Sequence, residues 1–307
     1  MGKEKRVIAL GFFDGVHLGH AALLWCTNAR AEELGVKPFV LSFDTHPGQF
    51  ISGETVPLIN SPEGRVDLIR RLFGIYDVLL LHFDGRMRQM GWREFVAVLQ
   101  EEFGAVHLVC GRDFRFGYRG EGTAELLQEA CETRGMGCDV VEEVCMDGGA
   151  VSSSRIRTLL QDGALAEANR LLGHPHTLVD TVRHGYKLGR TLGAPTINML
   201  FPEGVLKLPF GVYATRVYIG DEAYYAVTNV GIRPTAGKRE QVTVESYILD
   251  FAADLYGREV RVEFFHYLRP EIKFEGLEAL KTQIKVDVEA TRAYFDECEI
   301  DNGVCSK

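Results

Sequence analysis

The fold is decided by the stretch Gly11-Phe12-Phe13-Asp14-Gly15-Val16-His17-Leu18-Gly19-His20. It follows the apolar run Val7–Leu10 and precedes Ala21–Trp25, whose composition predicts a helix. A strand therefore enters a glycine-rich turn that carries two histidines to the start of a helix. The unpaired N–H groups and the positive dipole end of a helix N-terminus attract anions, and glycines let a ligand approach the backbone closely. The stretch predicts a phosphate-binding turn in which the histidines donate hydrogen bonds to phosphate oxygens.

Each part of this turn also has a purely structural interpretation. A strand–glycine–helix turn is common in α/β folds, and two histidines three residues apart can simply cap or pack. The compound pattern Phe-Asp-Gly-x-His-x-Gly-His, at the first turn between a strand and a helix, is far more specific. It resembles the nucleotidyltransferase signature, which holds ATP between two histidines. It differs from the G-x-G-x-x-G fingerprint of dinucleotide-binding folds.

The composition excludes several classes of protein. The chain has 307 residues, 46% of them hydrophobic and 25% charged, which is typical of a globular protein with two domains. Its net charge of −9 argues against a nucleic-acid-binding protein, although a local basic pocket for small anions can still occur. No apolar run approaches the ~20 residues of a membrane span, and residues 1–6 lack the pattern of a signal peptide. We expect a cytoplasmic protein that binds neither nucleic acid nor a membrane.

Two common motifs are missing from the sequence. The seven cysteines include no C-x-x-C pair, and their odd number argues against a disulfide framework. We interpret them as packing or surface residues. Gly231–Lys238 approaches a Walker P-loop, but its spacing is wrong and Arg239 stands in place of Ser or Thr.

The first half of the sequence alternates apolar runs with helical patterns. Strands are predicted over 7–13, 38–43, 77–83, 105–110 and 139–144, and helices over 20–34, 61–73, 92–103 and 124–134. Such alternation indicates a doubly wound, Rossmann-like parallel sheet, in which ligands bind at the carboxyl ends of the strands. The opening stretch lies at one such end.

Three other predicted strand ends carry candidate binding residues, in Phe43–Pro47, Asp113–Phe116 and Ser152–Arg157. The first can be a plain turn, the second an aromatic loop that seals the sheet, and the third an N-cap of a short helix. An arginine beside exposed aromatic side chains nevertheless suits a flat, anionic ligand. Three hydroxyls with Arg157 behind them suit a phosphate, and we favour this interpretation because the serines lie at the same sheet edge as the opening stretch.

The character of the sequence changes at His174-Pro175-His176. Beyond it, short alternating strands predominate, separated by expected turns at Gly185, Gly220, Gly231 and Gly257. They predict an antiparallel β-barrel. Three- and four-residue steps from Leu277 to Phe295 predict a terminal helix that packs on the barrel, and the tail after Asp296 is expected to be loose. We therefore predict two domains, 1–173 and 174–307.

Three clusters carry the chemistry of the second half. In Gly193–Asn198, the oxygens of Thr196 and Asn198 point the same way if the chain is extended, and they suit Mg²⁺; the alternative is a turn. Asn229–Thr235 is either an ordinary loop or a lid that bears Arg233. Glu245 interrupts an apolar and aromatic strand, where a carboxylate can act as a general base; the alternative is a salt-bridged glutamate at the rim.

Together these segments resemble the bacterial bifunctional riboflavin kinase/FMN adenylyltransferases, also called FAD synthetases, along nearly the whole chain. The segments of the first half resemble the adenylyltransferase module, and those of the second half, with Leu255-Tyr256-Gly257, resemble the kinase module. The resemblance implies a transferase that phosphorylates riboflavin to FMN and then adenylylates FMN to FAD, releasing pyrophosphate. It also implies ATP as co-substrate and Mg²⁺ as cofactor.

The resemblance further implies a role for each site residue. Glu245 takes the proton of the riboflavin 5′-hydroxyl, which attacks the γ-phosphate of ATP. His17 and His20 stabilise the α-phosphate that FMN attacks. The other implied roles are ATP and phosphate binding by Gly11, Phe13, Asp14, Gly19, Ser153, Ser154, Arg157, Gly193, Thr196 and Asn198, metal binding by Thr196 and Asn198, and flavin binding by Pro47, Asp113, Phe114, Phe116 and Arg233.

Three positions depart from the family's pattern, which often has proline at Thr45 and usually has alanine at Ile197 and threonine at Ser154. Two alternatives are a different nucleotidyltransferase with an unrelated barrel and a non-catalytic flavin carrier. The second-half clusters count against the first, and the retained reactive residues against the second. We expect a monomer or weak homo-oligomer whose partners are riboflavin, FMN, FAD and ATP.

Overall fold

The structure is a computed structural model that describes residues 4–45, 56–82, 84–184, 194–233 and 241–302, with side chains described up to residue 298 except at Arg233. The chain divides into two compact units, Met1–Ser153 and Ser154–Lys307. Each unit has its own sheet. The domain boundary between residues 173 and 174 that the sequence predicts stays a prediction.

The first unit alternates strands and helices, as the sequence predicts. Its elements are β1 (Arg6–Leu10), α1 (Leu18–Leu34), β2 (Lys37–Phe43), α2 (Pro62–Phe73), β3 (Val78–Leu81), α3 (Gly85–Gln89), α4 (Trp92–Glu101), β4 (Ala105–Gly111), a 3₁₀ turn (Tyr118–Gly120), α5 (Ala124–Thr133), β5 (Gly137–Val141), β6 (Cys145–Met146) and β7 (Gly149–Ala150). Helix α2 begins as expected, because the Ser61 side chain accepts a hydrogen bond from the Gly64 N–H and Pro62 takes the first helical position.

Strands β1 to β5 form a parallel sheet in the order β3-β2-β1-β4-β5. The central strand β1 pairs with β2 on one side and with β4 on the other, so that Ile8 lies opposite both Phe39 and Leu108. The order of the strands reverses at β1, which makes its carboxyl end the switch point where ligands bind in such sheets. The turn that carries His17 and His20 starts at this end.

Alternate residues of β1 enter two separate cores. Ile8 and Leu10 pack with residues of α4 and α5, whereas Val7 and Ala9 pack with residues of α1 and α2. Because neighbouring residues of a strand point to opposite faces, this division places helices on both sides of the sheet. The predicted doubly wound α/β architecture is confirmed.

The second unit is mainly antiparallel. Its elements are α6 (Ser153–Gln161), which starts at the last residue of the first unit, α7 (Leu165–Leu172), β8 (His176–Thr181), β9 (Thr196–Leu200), β10 (Gly211–Ile219), β11 (Glu222–Arg233), β12 (Gln241–Ile248), β13 (Glu259–Arg269) and α8 (Leu277–Asn302). The strands follow the order β8-β13-β10-β11-β12-β9. The two outer strands approach each other at a bridge between Arg183 and Asn198, where the Arg183 N–H donates to the Asn198 carbonyl at 2.8 Å. The sheet thus curls into the predicted barrel.

Helix α8 packs on this curled sheet, as the sequence predicts. The ring of Phe295 stacks on Tyr225 of β11 with 4.2 Å between centroids, and Phe295 is buried. Arg269 at the end of β13 donates to both carboxylate oxygens of Asp287 at 2.8 and 2.7 Å. A bidentate pair of this kind sets the position of the helix along the strand.

The structure corrects three boundaries. Strand β1 ends at Leu10 and not at Phe13, because Phe13 has a left-handed backbone with φ of 57°. Gly231 lies inside β11, opposite Thr243, and not in a turn; a side chain there would collide with the Glu271 carboxylate. Helix α8 continues past Asp296 to Asn302, because no helix-breaking residue occurs before Gly303.

Candidate active sites

His17 is the N-cap of helix α1. Its backbone is extended, and its Nδ1 accepts a hydrogen bond from the His20 N–H at 3.3 Å. An accepting Nδ1 carries no proton, so the proton of the neutral ring lies on Nε2, which can donate to another group. The capping interpretation of this histidine is therefore correct, and Nε2 is the ring nitrogen that can act as a donor.

His20 lies one turn along α1 and stacks on His17, with ring centroids 3.7 Å apart and an interplanar angle of 18°. The edge of the Phe13 ring lies on another side of it, at 5.2 Å. Burial lowers the pKa of His20 well below its usual range, and the charges of His17 and Arg65 lower it further. His20 is therefore neutral at pH 7. Its Nδ1 is buried and has no hydrogen-bond partner within the described part of the chain.

The turn between β1 and α1 is held by the carboxylate of Asp14. Asp14 is 1% exposed and accepts from the N–H groups of Ile59 and Asn60 at 2.9 and 3.4 Å. The Ser153 hydroxyl donates to the Asp14 carbonyl at 2.9 Å. Phe13 and Val16 both have positive φ, 57° and 44°, which bulky residues adopt only where the surroundings impose it. These hydrogen bonds supply that constraint.

The glycines on either side of this turn make room for its rings. A Cβ on Gly11 would lie 2.9 Å from the Phe13 ring, and a Cβ on Gly19 would lie 3.1 Å from the His17 ring. From the sequence, these glycines were expected to permit the close approach of a ligand. In the structure, the close approach is that of the turn's own side chains, which the absence of a Cβ permits.

In the second unit, three polar residues from three strands form one row. Glu245 on β12 lies opposite Asn198 on β9 and opposite Asn229 on β11. Directly opposed residues of antiparallel strands point to the same face. Thr196, two residues before Asn198, lies on that face as well, and β9 is extended as the metal-binding interpretation requires.

A cavity of about 260 Å³ opens beside this row and is lined by Thr196, Glu245 and Asn229. Apolar side chains of Ile272, Phe274, Leu280 and Ile284, the last two from α8, form much of its wall. Asn229 also donates to Glu271 at 3.2 Å. The sequence analysis placed Asn229 in a functional segment but assigned a role there only to Arg233. The register of β11 and β12 shows that Asn229 is the residue beside Glu245.

A second cavity, of about 430 Å³, shares Thr196 with the first. Its wall comes from Pro195 and Ile197 and from the segment after β12, residues 251–256. Thr196 is therefore the residue through which two ligands in neighbouring cavities could meet.

The comparisons with known proteins agree with this division. Residues 1–155 match the family model of FAD synthetase, and residues 172–295 match that of riboflavin kinase. The bifunctional riboflavin kinase/FMN adenylyltransferase of Listeria monocytogenes is 34% identical over 296 residues, which cover 96% of this chain and 94% of the relative. The chain belongs to the bifunctional riboflavin kinase/FMN adenylyltransferase family. The predicted family, the transferase class and the pair of activities are confirmed.

Another curated relative and a solved structure are also similar to this chain along nearly its whole length. The Pseudomonas fluorescens relative is 39% identical over 293 residues, covering 94% of this chain and 92% of its own length. A crystal structure named Macrolide-efflux Protein from Streptococcus pneumoniae is 31% identical, covers 95% of both chains and superposes with a TM-score of 0.81. None of the helices in the described ranges is long and apolar enough to cross a membrane.

The remaining predicted residues of the first unit lie in different environments. Phe116 is 6% exposed and packs in the core against Phe95, so it seals the sheet end. Phe114 stacks on it with centroids 5.4 Å apart and is only partly buried. Asp113 is exposed. A role of these residues in flavin binding stays a prediction, and Phe114 is the aromatic residue that remains partly accessible.

The structure says little about five further predicted residues. Ser154 and Arg157 follow Ser153 in α6, where the Arg157 guanidinium donates to the Ser154 hydroxyl at 3.4 Å. Pro47 and Gly193 lie outside the described residues, and Arg233 is described only as the last residue of β11. Their roles stay predictions.

Proposed function

We propose that the chain phosphorylates riboflavin to FMN with the barrel of its second unit and adenylylates FMN to FAD with the turn of its first unit. ATP is the co-substrate of both steps. The observation that carries the first assignment is the row Asn198–Glu245–Asn229, because it brings the Glu245 carboxylate and the Asn229 amide to one cavity and places Asn198 opposite Glu245. The observation that carries the second is the stacked pair of histidines, His20 being neutral, at the switch point of the parallel sheet.

The kinase step needs a base, because its nucleophile is a neutral hydroxyl. In our proposal Glu245 takes the proton of the riboflavin 5′-hydroxyl. The 260 Å³ cavity, with its apolar wall, holds the flavin beside Glu245 and Asn229. The 430 Å³ cavity holds ATP, so that the γ-phosphate reaches the hydroxyl past Thr196. Positioning and charge neutralisation then supply most of the rate, as in other phosphoryl transfers.

The residues around Thr196 fit Mg²⁺. They offer the Thr196 hydroxyl, the Asn198 amide oxygen and the Glu245 carboxylate on one face of the sheet, and such oxygens are the hard ligands that Mg²⁺ prefers. The described residues contain no cluster of three or more His, Cys, Asp or Glu, as a zinc site would need. We propose that Thr196 and Asn198 hold the ion together with the phosphates of ATP. Bound Mg²⁺ would neutralise charge on those phosphates.

The adenylyl transfer needs donors and no strong base, because the attacking FMN phosphate is already an anion. His17 Nε2–H and neutral His20 can donate to the α-phosphate of ATP as its charge rises. Since the Ser153 hydroxyl donates to the Asp14 carbonyl, we assign it first to holding the turn. Ser154 and Arg157 bind the leaving pyrophosphate in our proposal. The support is the family's pattern and the contact between the two side chains.

The test is incubation of the protein with riboflavin, ATP and Mg²⁺, followed by chromatographic separation of the flavins. We expect FMN first and FAD later, and FAD directly when FMN replaces riboflavin. Chelation of Mg²⁺ with EDTA should stop FMN formation. If riboflavin gave FMN but neither riboflavin nor FMN gave FAD, the adenylyltransferase assignment would be disproved. The cytoplasmic location and the monomeric or weakly oligomeric state stay predictions.

A further inference from the structure

Arg65 on helix α2 is 0% exposed, although arginine is among the residues that are least often fully buried. Its Nη1 donates to the Phe12 carbonyl, and to the Ser42 hydroxyl at 3.2 Å. The guanidinium also lies over the Phe12 ring, 4.4 Å from its centroid. Ser42 donates to the same carbonyl at 2.9 Å. The side chain thus reaches the residue that precedes the left-handed Phe13.

No carboxylate neutralises this cation by direct contact in the described part of the chain. The charges of Asp14, Asp44 and Glu63 act on it from a distance, and the Asp14 carboxylate accepts from the Ile59 and Asn60 N–H groups. The Nε and Nη2 atoms of Arg65 are buried and have no hydrogen-bond partner among the described residues. Burying a charge without its counter-charge is costly, so such an arrangement calls for a reason.

The charge is nevertheless retained at neutral pH. Burial lowers the pKa of Arg65 to about 10, which is still well above 7. The effect of Arg65 on His20 shows that its field reaches the histidine turn. A fixed cation in a water-poor site attracts anions more strongly than one in water, because little solvent screens it.

We propose that Arg65 is a positioning residue of the adenylyl transfer, which braces the Phe12 carbonyl and supplies the positive potential into which the phosphates of ATP bind. The phosphates of the substrate then supply the direct counter-charge that the described residues do not provide. This inference rests on the proposed adenylyltransferase function of the first unit. The alternative is a brace without an electrostatic role.

Two variants separate these roles. Arg65→Met keeps an unbranched side chain and removes the charge and the hydrogen bonds, whereas Arg65→Lys keeps the charge and loses the planar fork. The measurement is FAD formation from FMN and Mg-ATP, with KM for ATP and kcat determined separately. Riboflavin phosphorylation by the second unit of the same preparation is the internal control, and circular dichroism reports folding.

For Arg65→Met we expect KM for ATP to rise by about tenfold or more, because the free energy contributed by an interaction with a charged group is large enough for such a change. For Arg65→Lys we expect KM within about threefold of the wild-type value, with kcat reduced because the Phe12 carbonyl is held less firmly. If KM for ATP were unchanged in Arg65→Met and only kcat or the folded fraction fell, Arg65 would merely hold the Phe12 carbonyl in place. That result would overturn the proposal.

If Arg65→Met does not fold, Arg65→Lys alone still tests whether Arg65 acts through its charge. A tenfold rise of KM for ATP in folded Arg65→Lys would show that charge alone does not serve, and the proposal would fail. Failure of the proposed function has a different signature, because the wild-type protein would then make no FAD from FMN and ATP.

Discussion

The first unit carries its proposed reacting groups on a turn with left-handed residues, whereas the second carries them on strands in regular register. In the turn, Phe13 and Val16 have positive φ and hydrogen bonds to Asp14 hold the chain in place. In the barrel, Glu245 is positioned by ordinary pairing of β12 with β9 and β11. A turn can present ring nitrogens and backbone N–H groups to one point, and a strand can present a row of side chains to a cavity.

The two sites also differ in the proton chemistry that they can perform. The turn offers two imidazoles, one of which is neutral because it is buried, and this suits a nucleophile that is already charged. The row in the barrel includes a carboxylate, which suits a hydroxyl that must lose its proton. The difference teaches that one chain can use ATP in two reactions if the hydrogen-bond donors lie in one unit and the general base lies in the other.

The largest effect should come from the carboxylate. Glu245→Gln should lower riboflavin phosphorylation by about 10²–10⁴-fold, the usual contribution of a general base, and leave the conversion of FMN to FAD unchanged. Flavin chromatography with each substrate in turn measures both rates. Glu259→Gln, at an exposed position of β13, is the matched control and should keep both activities. Equal loss of both activities in folded Glu245→Gln would show that the two sites are not separate.

The reverse pattern is expected at the turn. His20→Ala should slow FAD formation from FMN by about 10²-fold or more, the cost of removing a transition-state donor, while riboflavin phosphorylation continues at the wild-type rate. The same chromatographic assay checks this result. If His20→Ala kept full adenylyltransferase activity, the histidine pair would be a packing feature and the comparison between the two sites would lose its basis.

The smallest effect concerns a buried histidine without a proposed catalytic role. His176 is buried in the second unit beside Phe264, and burial together with the charge of His174 lowers its pKa to about 3. The unfolded chain takes up a proton near the usual histidine pKa of about 6.5, and the folded protein does not. This contribution to stability is therefore complete above pH 6.5 and is lost progressively as the pH falls towards 3.

At pH 5 the loss should be about 2 kcal/mol of unfolding free energy, measurable by urea unfolding followed by circular dichroism. His176→Leu should remove that part of the pH dependence and leave both activities intact, whereas His266→Leu, at an exposed position, should not change it. An unaltered pH dependence in His176→Leu would show that His176 is not held neutral. Burial keeps both His20 and His176 neutral. Comparing their variants tests whether a neutral histidine affects activity only when it lies at a reacting site.

The sequence predicted the residues of each site unevenly. His17, His20, Thr196 and Asn198 lie in contiguous motifs whose spacing indicates their chemistry. The structure places the histidines at the predicted helix start and makes Thr196–Asn198, for which the sequence left a turn open, part of a strand. Asn229 stood in a segment that the sequence analysis had singled out, but its closeness to Glu245 depends on strand register. Arg65 carries no local signal at all, because its burial under the turn arises from the packing of α2.

Phe116 shows a choice that the sequence left open. Its aromatic loop could either seal the sheet or face a ligand, and the structure places the Phe116 ring in the core beside Phe95. Alternation and loop composition indicate the local conformation of a segment. They do not indicate which other segments pack against it.

By itself, the sequence determined the chemical groups of this protein and the strand–turn–helix backbone that carries the two histidines, because such elements are short-range patterns. It left the backbone of the segments around Thr196 and Asn229 open. Only the tertiary structure decided which groups meet. The switch point at β1 follows from the strand order, and the row Asn198–Glu245–Asn229 follows from antiparallel register. Both depend on pairing between segments that are distant along the chain, which no local pattern specifies.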